Sequence, residues 1–115
     1  MNFTDIPQVY LHRYFVDFRK SINGLSALVE MELESPVMSG ALFVFCNKGR
    51  DKLKVLYWDK TGFALWYKRL EQDKFKWPTK VDEPVMNLTP EQFQWLLSGF
   101  DVIGHKEVSY GSVAL

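Results

Sequence analysis

The chain has one cysteine, two histidines, no net charge and no long hydrophobic run, and each shortage removes a class of function. A single thiol, Cys46, cannot form an internal disulfide. With no basic stretch ahead of an apolar run near the N-terminus, the expected location is a reducing cytoplasm. No segment approaches the roughly 18 continuous apolar residues that a membrane-crossing helix needs, so no membrane partner is expected. His12 and His105 stand far apart in sequence, which leaves a shared metal site or acid–base pair without support. No CxxC, HExxH, P-loop or dinucleotide fingerprint occurs. No catalytic residue, metal or cofactor is therefore nominated. Internal repeats and low-complexity tracts are also lacking.

What is present is a core and a concentrated charge. Of the 115 residues, 47% are hydrophobic and 16% aromatic, which argues against disorder and suffices to build one domain without staples. That domain is expected over 1–101, with 102–115 a flexible tail. Ten of the 14 Lys and Arg residues fall between Lys48 and Lys80, against four acids, so this third of the chain carries an excess of six positive charges. A neutral protein with such a block can still show a polyanion a positive face, so binding is expected rather than chemistry.

After a loose stretch over 1–7, Val9–Phe15 reads as a strand, and Asp17 as a turn or helix cap. Ile22, Leu25, Leu28 (or Val29) and Glu32–Leu33 recur with a period of about 3.6, which predicts a helix over roughly Arg19–Glu34. Asn23 and Gly24 weaken its start by roughly 1–2 kcal/mol, so it starts late, near Gly24, or packing compensates. Ala41–Cys46 is almost wholly apolar and reads as a central strand covered on both sides, with Phe43 and Phe45 on one face and Leu42, Val44 and Cys46 on the other. Lys52–Trp58 and Phe63–Arg69 alternate. They are joined by Asp59-Lys60-Thr61-Gly62, read as a type I turn closed by a left-handed glycine. A short strand over Phe75–Trp77 is ended by Pro78, and Val85–Leu88 adds an edge strand. Thr89-Pro90-Glu91-Gln92 is a capping box with proline first in the helix. Phe93, Leu96 and Leu97 form its apolar stripe, and Gly99 ends it.

The expected class is α+β: an antiparallel meander sheet of about four strands, one longer N-terminal helix and one short C-terminal helix. Both helices are expected on one sheet face. The open face then carries Lys52, Lys54, Trp58, Trp66 and Lys68 together. Lys48, Arg50, Lys52, Lys54, Lys68, Arg69 and Lys76 are candidate phosphate contacts. Arg19 and Lys20, at the start of the first helix, are candidates for the same role. Trp58 and Trp66 offer platforms for bases, or else a second hydrophobic layer or a dimer face, and Trp58, Trp66 and Trp77 are the candidate docking residues for a protein partner. Asp17, Asp59 and Glu71 form a carboxylate set to test for two-metal chemistry, although Asp17 and Asp59 already have cap and turn roles. Cys46 reads as a small buried hydrophobe.

The motifs Asp17-Phe18-Arg19-Lys20-Ser21-Ile22-Asn23-Gly24-Leu25 and Leu42-Phe43-Val44-Phe45-Cys46-Asn47-Lys48 stand out. Leu53-Lys54-Val55-Leu56-Tyr57-Trp58-Asp59-Lys60-Thr61-Gly62-Phe63 follows. After these come Tyr67-Lys68-Arg69-Leu70-Glu71, then Phe75, Trp77 and Pro78, and the closing Leu88-Thr89 and Leu96-Leu97-Ser98-Gly99. Together they resemble the small accessory protein, TnpB type, encoded by the second reading frame of the insertion sequence 66 transposons. The resemblance covers about Val9 to Asp101. Phe18, Ser21 and Asn23 depart from the commoner Met, Gly and Asp, and Asn23 removes a carboxylate. The resemblance implies a non-catalytic factor for transposition, acting beside a separate, larger transposase. Its expected partners are double-stranded DNA, that transposase, or a second copy in a homodimer. A small metal-dependent nuclease is the remaining alternative.

Overall fold

The computed structural model describes residues 8–33, 39–78 and 83–102, so the expected loose start and most of the expected tail lie outside it. Five strands form one sheet: β1 (Val9–His12), β2 (Leu42–Cys46), β3 (Lys52–Asp59), β4 (Gly62–Arg69) and β5 (Val85–Leu88). Their order is β4-β3-β2-β1-β5. Helix α1 (Ile22–Leu28) runs on into a π-helical turn at Val29–Leu33, and α2 spans Pro90–Leu97. The α+β class stands, with five strands in place of about four.

β2 is apolar at every position because it lies mid-sheet, and all five of its residues are buried. Phe43 and Phe45 pack toward Leu25 and Val29. Leu42, Val44 and Cys46 pack toward Phe93, Leu96 and Leu97. Burying each such large side chain contributes about 1.5–3 kcal/mol, so both faces are needed to hold the sheet.

The two helices therefore cover opposite faces, not one. The reason is β1, which pairs in parallel with β2 (Val9 opposite Leu42, Leu11 opposite Val44). A parallel pair needs a crossover, and α1 supplies it on the Phe43–Phe45 side. β5 pairs antiparallel with β1, and α2 then packs against the other face. Only β2, β3 and β4 form the expected meander.

Several local expectations change with this topology. α1 begins at Ile22, with Ser21 at its N-cap making no side-chain bond. Asp17 instead accepts the Arg19 backbone N–H (2.9 Å) in a separate turn. A Cβ on Gly24 would stand 3.1 Å from Lys20 Cβ and Cγ, so the glycine that weakens the helix makes room for that side chain. β1 stops at His12. Its buried ring is bracketed by Glu32 Oε1 (2.7 Å) and the Tyr14 carbonyl (2.8 Å), tying the strand to the π-turn.

The Phe75–Trp77 stretch is not a strand. The Phe75 N–H donates to the Arg50 carbonyl (2.7 Å), but the Trp77 N–H donates back to the Phe75 carbonyl (3.0 Å), which makes a bend instead of a ladder. Phe75 and Trp77 still enter the core on the α2 side. In the β3–β4 hairpin Asp59 pairs with Gly62. Lys60, at φ 58°, takes the left-handed conformation expected of Gly62, and the Thr61 N–H bonds to the Asp59 carbonyl.

The start of α2 matches its sequence signature. The Gln92 N–H donates to Thr89 Oγ1 (3.0 Å), and the Thr89 N–H donates to Gln92 Oε1 (2.9 Å). Gly99 follows the helix at φ 89°. Val102, expected in the tail, is buried in the core.

Candidate nucleic-acid interface

A two-residue hairpin loop sets even-numbered residues of β3 opposite odd-numbered residues of β4: Lys54 faces Tyr67, Val55 faces Trp66 and Leu53 faces Lys68. Cross-strand partners share a sheet face. Lys54 and Trp58 therefore project toward α1, while Trp66 and Lys68 project toward α2. The single open face carrying both lysines and both indoles does not exist. Each strand's alternation is as expected; the register between them separates the set.

Lys54 is buried on the α1 side. Its Nζ donates to the carbonyls of Phe18 (3.0 Å) and Lys20 (2.9 Å), and lies 4.8 Å from the Phe18 ring centroid and 5.9 Å from that of Tyr67. Burial pushes its pKa down. This lysine clamps the chain ahead of α1 to the sheet. Lys68, half-buried on the other face, donates to the Leu97 carbonyl (2.9 Å), where a cation satisfies an orphan acceptor at the end of α2.

The remaining cations gather mainly where β2 ends and β3 begins. Lys48 and Arg50 lie in the connecting turn, Lys52 opens β3, and its partner Arg69 closes β4. Leu70 N–H donates to the Asp51 carbonyl (2.8 Å) and Phe75 N–H to the Arg50 carbonyl (2.7 Å), which brings the 70–76 segment alongside. Lys74 Nζ donates to the Gly49 carbonyl (2.9 Å). Lys48, Arg50, Lys52, Arg69, Lys74 and Lys76 thus meet at one end of the sheet with three acids, Asp51, Glu71 and Asp73. Lys52 Nζ is 3.6 Å from Asp51, and Arg69 is held by Glu71 (2.9 Å), which raises the arginine's pKa. Among the described residues Lys48, Arg50 and Lys76 have no acidic partner. Lys60 is at the far hairpin tip, and Lys80 lies outside the described residues.

Beside this end runs an open groove of about 840 Å³, between the 15–19 segment and the β2–β3 turn. Phe15, Phe18 and Tyr67 supply its aromatic surface, and Arg19, Lys48 and Lys52 its cations. Asp17 also lines it, gripped by Arg19 Nη2 (2.6 Å) and Nε (3.0 Å); those bonds hold its carboxyl down at about 2. Lys20 is exposed next to this pair. Phe15 and Tyr67 were not singled out from sequence. The signal for Tyr67 was the hairpin register, which puts it over Lys54.

The three tryptophans do not form one patch. Trp58 is half-buried near the hairpin tip, edge-on to Phe63 (5.1 Å). Trp66 packs against the α2-side core. Trp77 is only 5% exposed, and its Nε1–H donates to the Arg13 carbonyl (3.0 Å).

Cys46 is buried as expected, and desolvation pushes its thiol up to about 12, so little thiolate exists near neutral pH. Asp17, Asp59 and Glu71 do not converge. Among the described residues no three His, Cys, Asp or Glu side chains stand close enough to share a metal ion. The carboxylate set that the nuclease alternative requires is therefore not assembled. No helix among the described residues is long and apolar enough to cross a membrane.

The profile of the family described as IS66 Orf2 like protein matches residues 7–107. The chain belongs to that family. This Orf2-like protein is thus an accessory protein of an IS66 transposon, and the match runs past Asp101, the end of the resemblance read from sequence. Two proteins of Sinorhizobium fredii (strain NBRC 101917 / NGR234) are similar to it. One is the uncharacterized protein y4jC, 42% identical over 86 residues, or 75% of this chain and 73% of that one. The other is the uncharacterized protein y4hO, 32% identical over 94 residues, or 82% of this chain and 81% of that one. No solved structure matches the Orf2-like chain significantly.

Proposed function

We propose that this accessory protein is non-catalytic and holds double-stranded DNA by its phosphates, through the basic end of the sheet. The observation that carries the reading is the meeting there of six cations from separate chain segments with, among the described residues, only three acids. Lys48, Arg50 and Lys76 are the leading contacts, because among the described residues no acid has to be displaced first. Lys52, Lys74 and Arg69 follow, each after releasing an existing partner, and Arg19 and Lys20 extend the surface. Lys54 and Lys68 add field without touching the backbone. Such contacts position a duplex without reading its bases.

The test is a mobility shift on terminal-repeat and random duplexes between about 50 and 200 mM salt. Both duplexes should bind, with affinity falling steeply as salt rises. Changing Lys48, Arg50 and Lys76 together to Gln should weaken low-salt binding at least tenfold, and should flatten the log–log salt slope by about 2–3. Salt-insensitive binding, or folded protein that ignores duplex at low salt, would sink the proposal.

The outer edge of β4 favours a second reading, a docking strand for the transposase or for another copy. Among the described residues β4 is paired on one side only. Its run Phe63-Ala64-Leu65-Trp66 has none of the charges or prolines that usually protect such an edge. This reading predicts salt-tolerant co-purification with transposase, lost when a charge is placed in that edge run, as in Ala64→Lys.

A further inference from the structure

We propose that the groove between the 15–19 segment and the β2–β3 turn receives an unpaired DNA base, stacked on Tyr67 and Phe15, with its flanking phosphates on Lys48, Lys52 and Arg19. The inference rests on the DNA reading above and goes beyond it, because a duplex keeps its bases inside and has nothing to place on an aromatic wall.

Three features of the groove carry it. The first is exposure of large rings where none is needed for the core: Tyr67 is 51% and Phe15 37% exposed. Phe18, half-buried, backs Tyr67 edge-on with ring centroids 6.4 Å apart, so the wall is supported from behind. The second is charge. Three cations and one acid line the groove, and Asp17 is already engaged by Arg19. Beneath the rings lies Lys54, an ammonium with two carbonyl partners and no acid within ion-pairing distance among the described residues. Arg19 and Lys52 have acidic neighbours of their own, so among the described residues the uncompensated charge at the groove comes from Lys48 on the rim and Lys54 beneath the rings. The third is shape. At about 840 Å³ and open to solvent, the groove has the size of a small-ligand site without enclosing one. It also shares Lys48 and Lys52 with the basic end of the sheet, so a strand leaving a bound duplex can run directly into it.

Aromatic platforms flanked by cations are the general means of holding single strands, since every base has a face to stack and every linkage a charge to neutralise. An acidic peptide would satisfy the cations, but it gives no reason for exposed rings. The favoured occupant is thus single-stranded DNA, such as the strand exposed at a cut or frayed transposon end.

The experiment compares three labelled probes at low salt: a single strand bearing bases, an abasic strand of the same length, and a flush duplex. The wild-type protein should bind the base-bearing strand more tightly than the abasic one. Tyr67→Ala should weaken the base-bearing strand about tenfold or more, leave the abasic strand and the duplex unchanged, and be rescued by Tyr67→Phe. Equal affinity for the two single strands would overturn the proposal. So would a Tyr67→Ala variant that loses both strands alike, or neither. Base-dependent binding of the single strand without any duplex binding would support the groove and reject the duplex reading. Binding of none of the three probes would reject both.

Discussion

At the scale of single residues, the cationic side chains of this protein do three different jobs that a count of charges cannot separate. Lys68 completes a helix end, Lys54 clamps a connection, and Lys48, Arg50 and Lys76 present charge to solvent. Lys54 is the most informative. It holds two part-buried backbone carbonyls that nothing else shown among the described residues satisfies. Lys54→Met keeps the length and apolar stem but removes all three donors. It should destabilise the fold by about 1–3 kcal/mol in urea unfolding, largely by freeing the 17–21 segment. A wild-type midpoint in the Met variant would show that the clamp contributes nothing. Tyr67 and Phe15 would have been hard to choose from sequence. An aromatic in an alternating strand is ordinarily core, and only the neighbours of its face decide otherwise.

At the scale of elements, α2 and α1 contrast in how much of each was written locally. The beginning of α2 is complete in four consecutive residues, Thr89 to Gln92, because a cap, a proline and a reciprocal side-chain bond all act within one turn. Thr89→Ala should therefore cost about 1 kcal/mol, measurable as a lowered unfolding midpoint with unchanged m-value. An unchanged midpoint would mean that packing of Phe93 and Leu96 alone holds the helix. α1 is different. Its apolar period is legible, but Ser21 makes no side-chain cap bond, and the residues ahead of the helix are held instead by Asp17 and Lys54. The Phe75–Trp77 stretch shows the same limit. Alternating large side chains mark burial correctly, while the backbone bends too early to pair.

At the scale of the whole molecule, a three-layer arrangement follows from one pairing. Because β1 lies parallel to β2, α1 crosses one face, and α2 takes the other. This makes β2 the best-protected strand, neighboured by β1 and β3 and covered above and below. Amide hydrogen exchange should be slowest at Leu42–Cys46 and faster in β5, at the sheet's edge. Amides of β5 outlasting those of β2 would contradict a core centred on β2. The same layering removes the open sheet face and moves the available charge to one end of the sheet, beside the aromatic groove.

The sequence by itself determined the elements that depend on near neighbours: the α+β class, the central apolar strand, the β3–β4 hairpin, the capped second helix and the buried thiol. It also carried the family, through motifs spread along most of the chain. Tertiary structure alone decided which side of the sheet each lysine and tryptophan faces. A strand fixes only the alternation of its own side chains, whereas the face they share is set by register and by pairing between residues far apart in the chain.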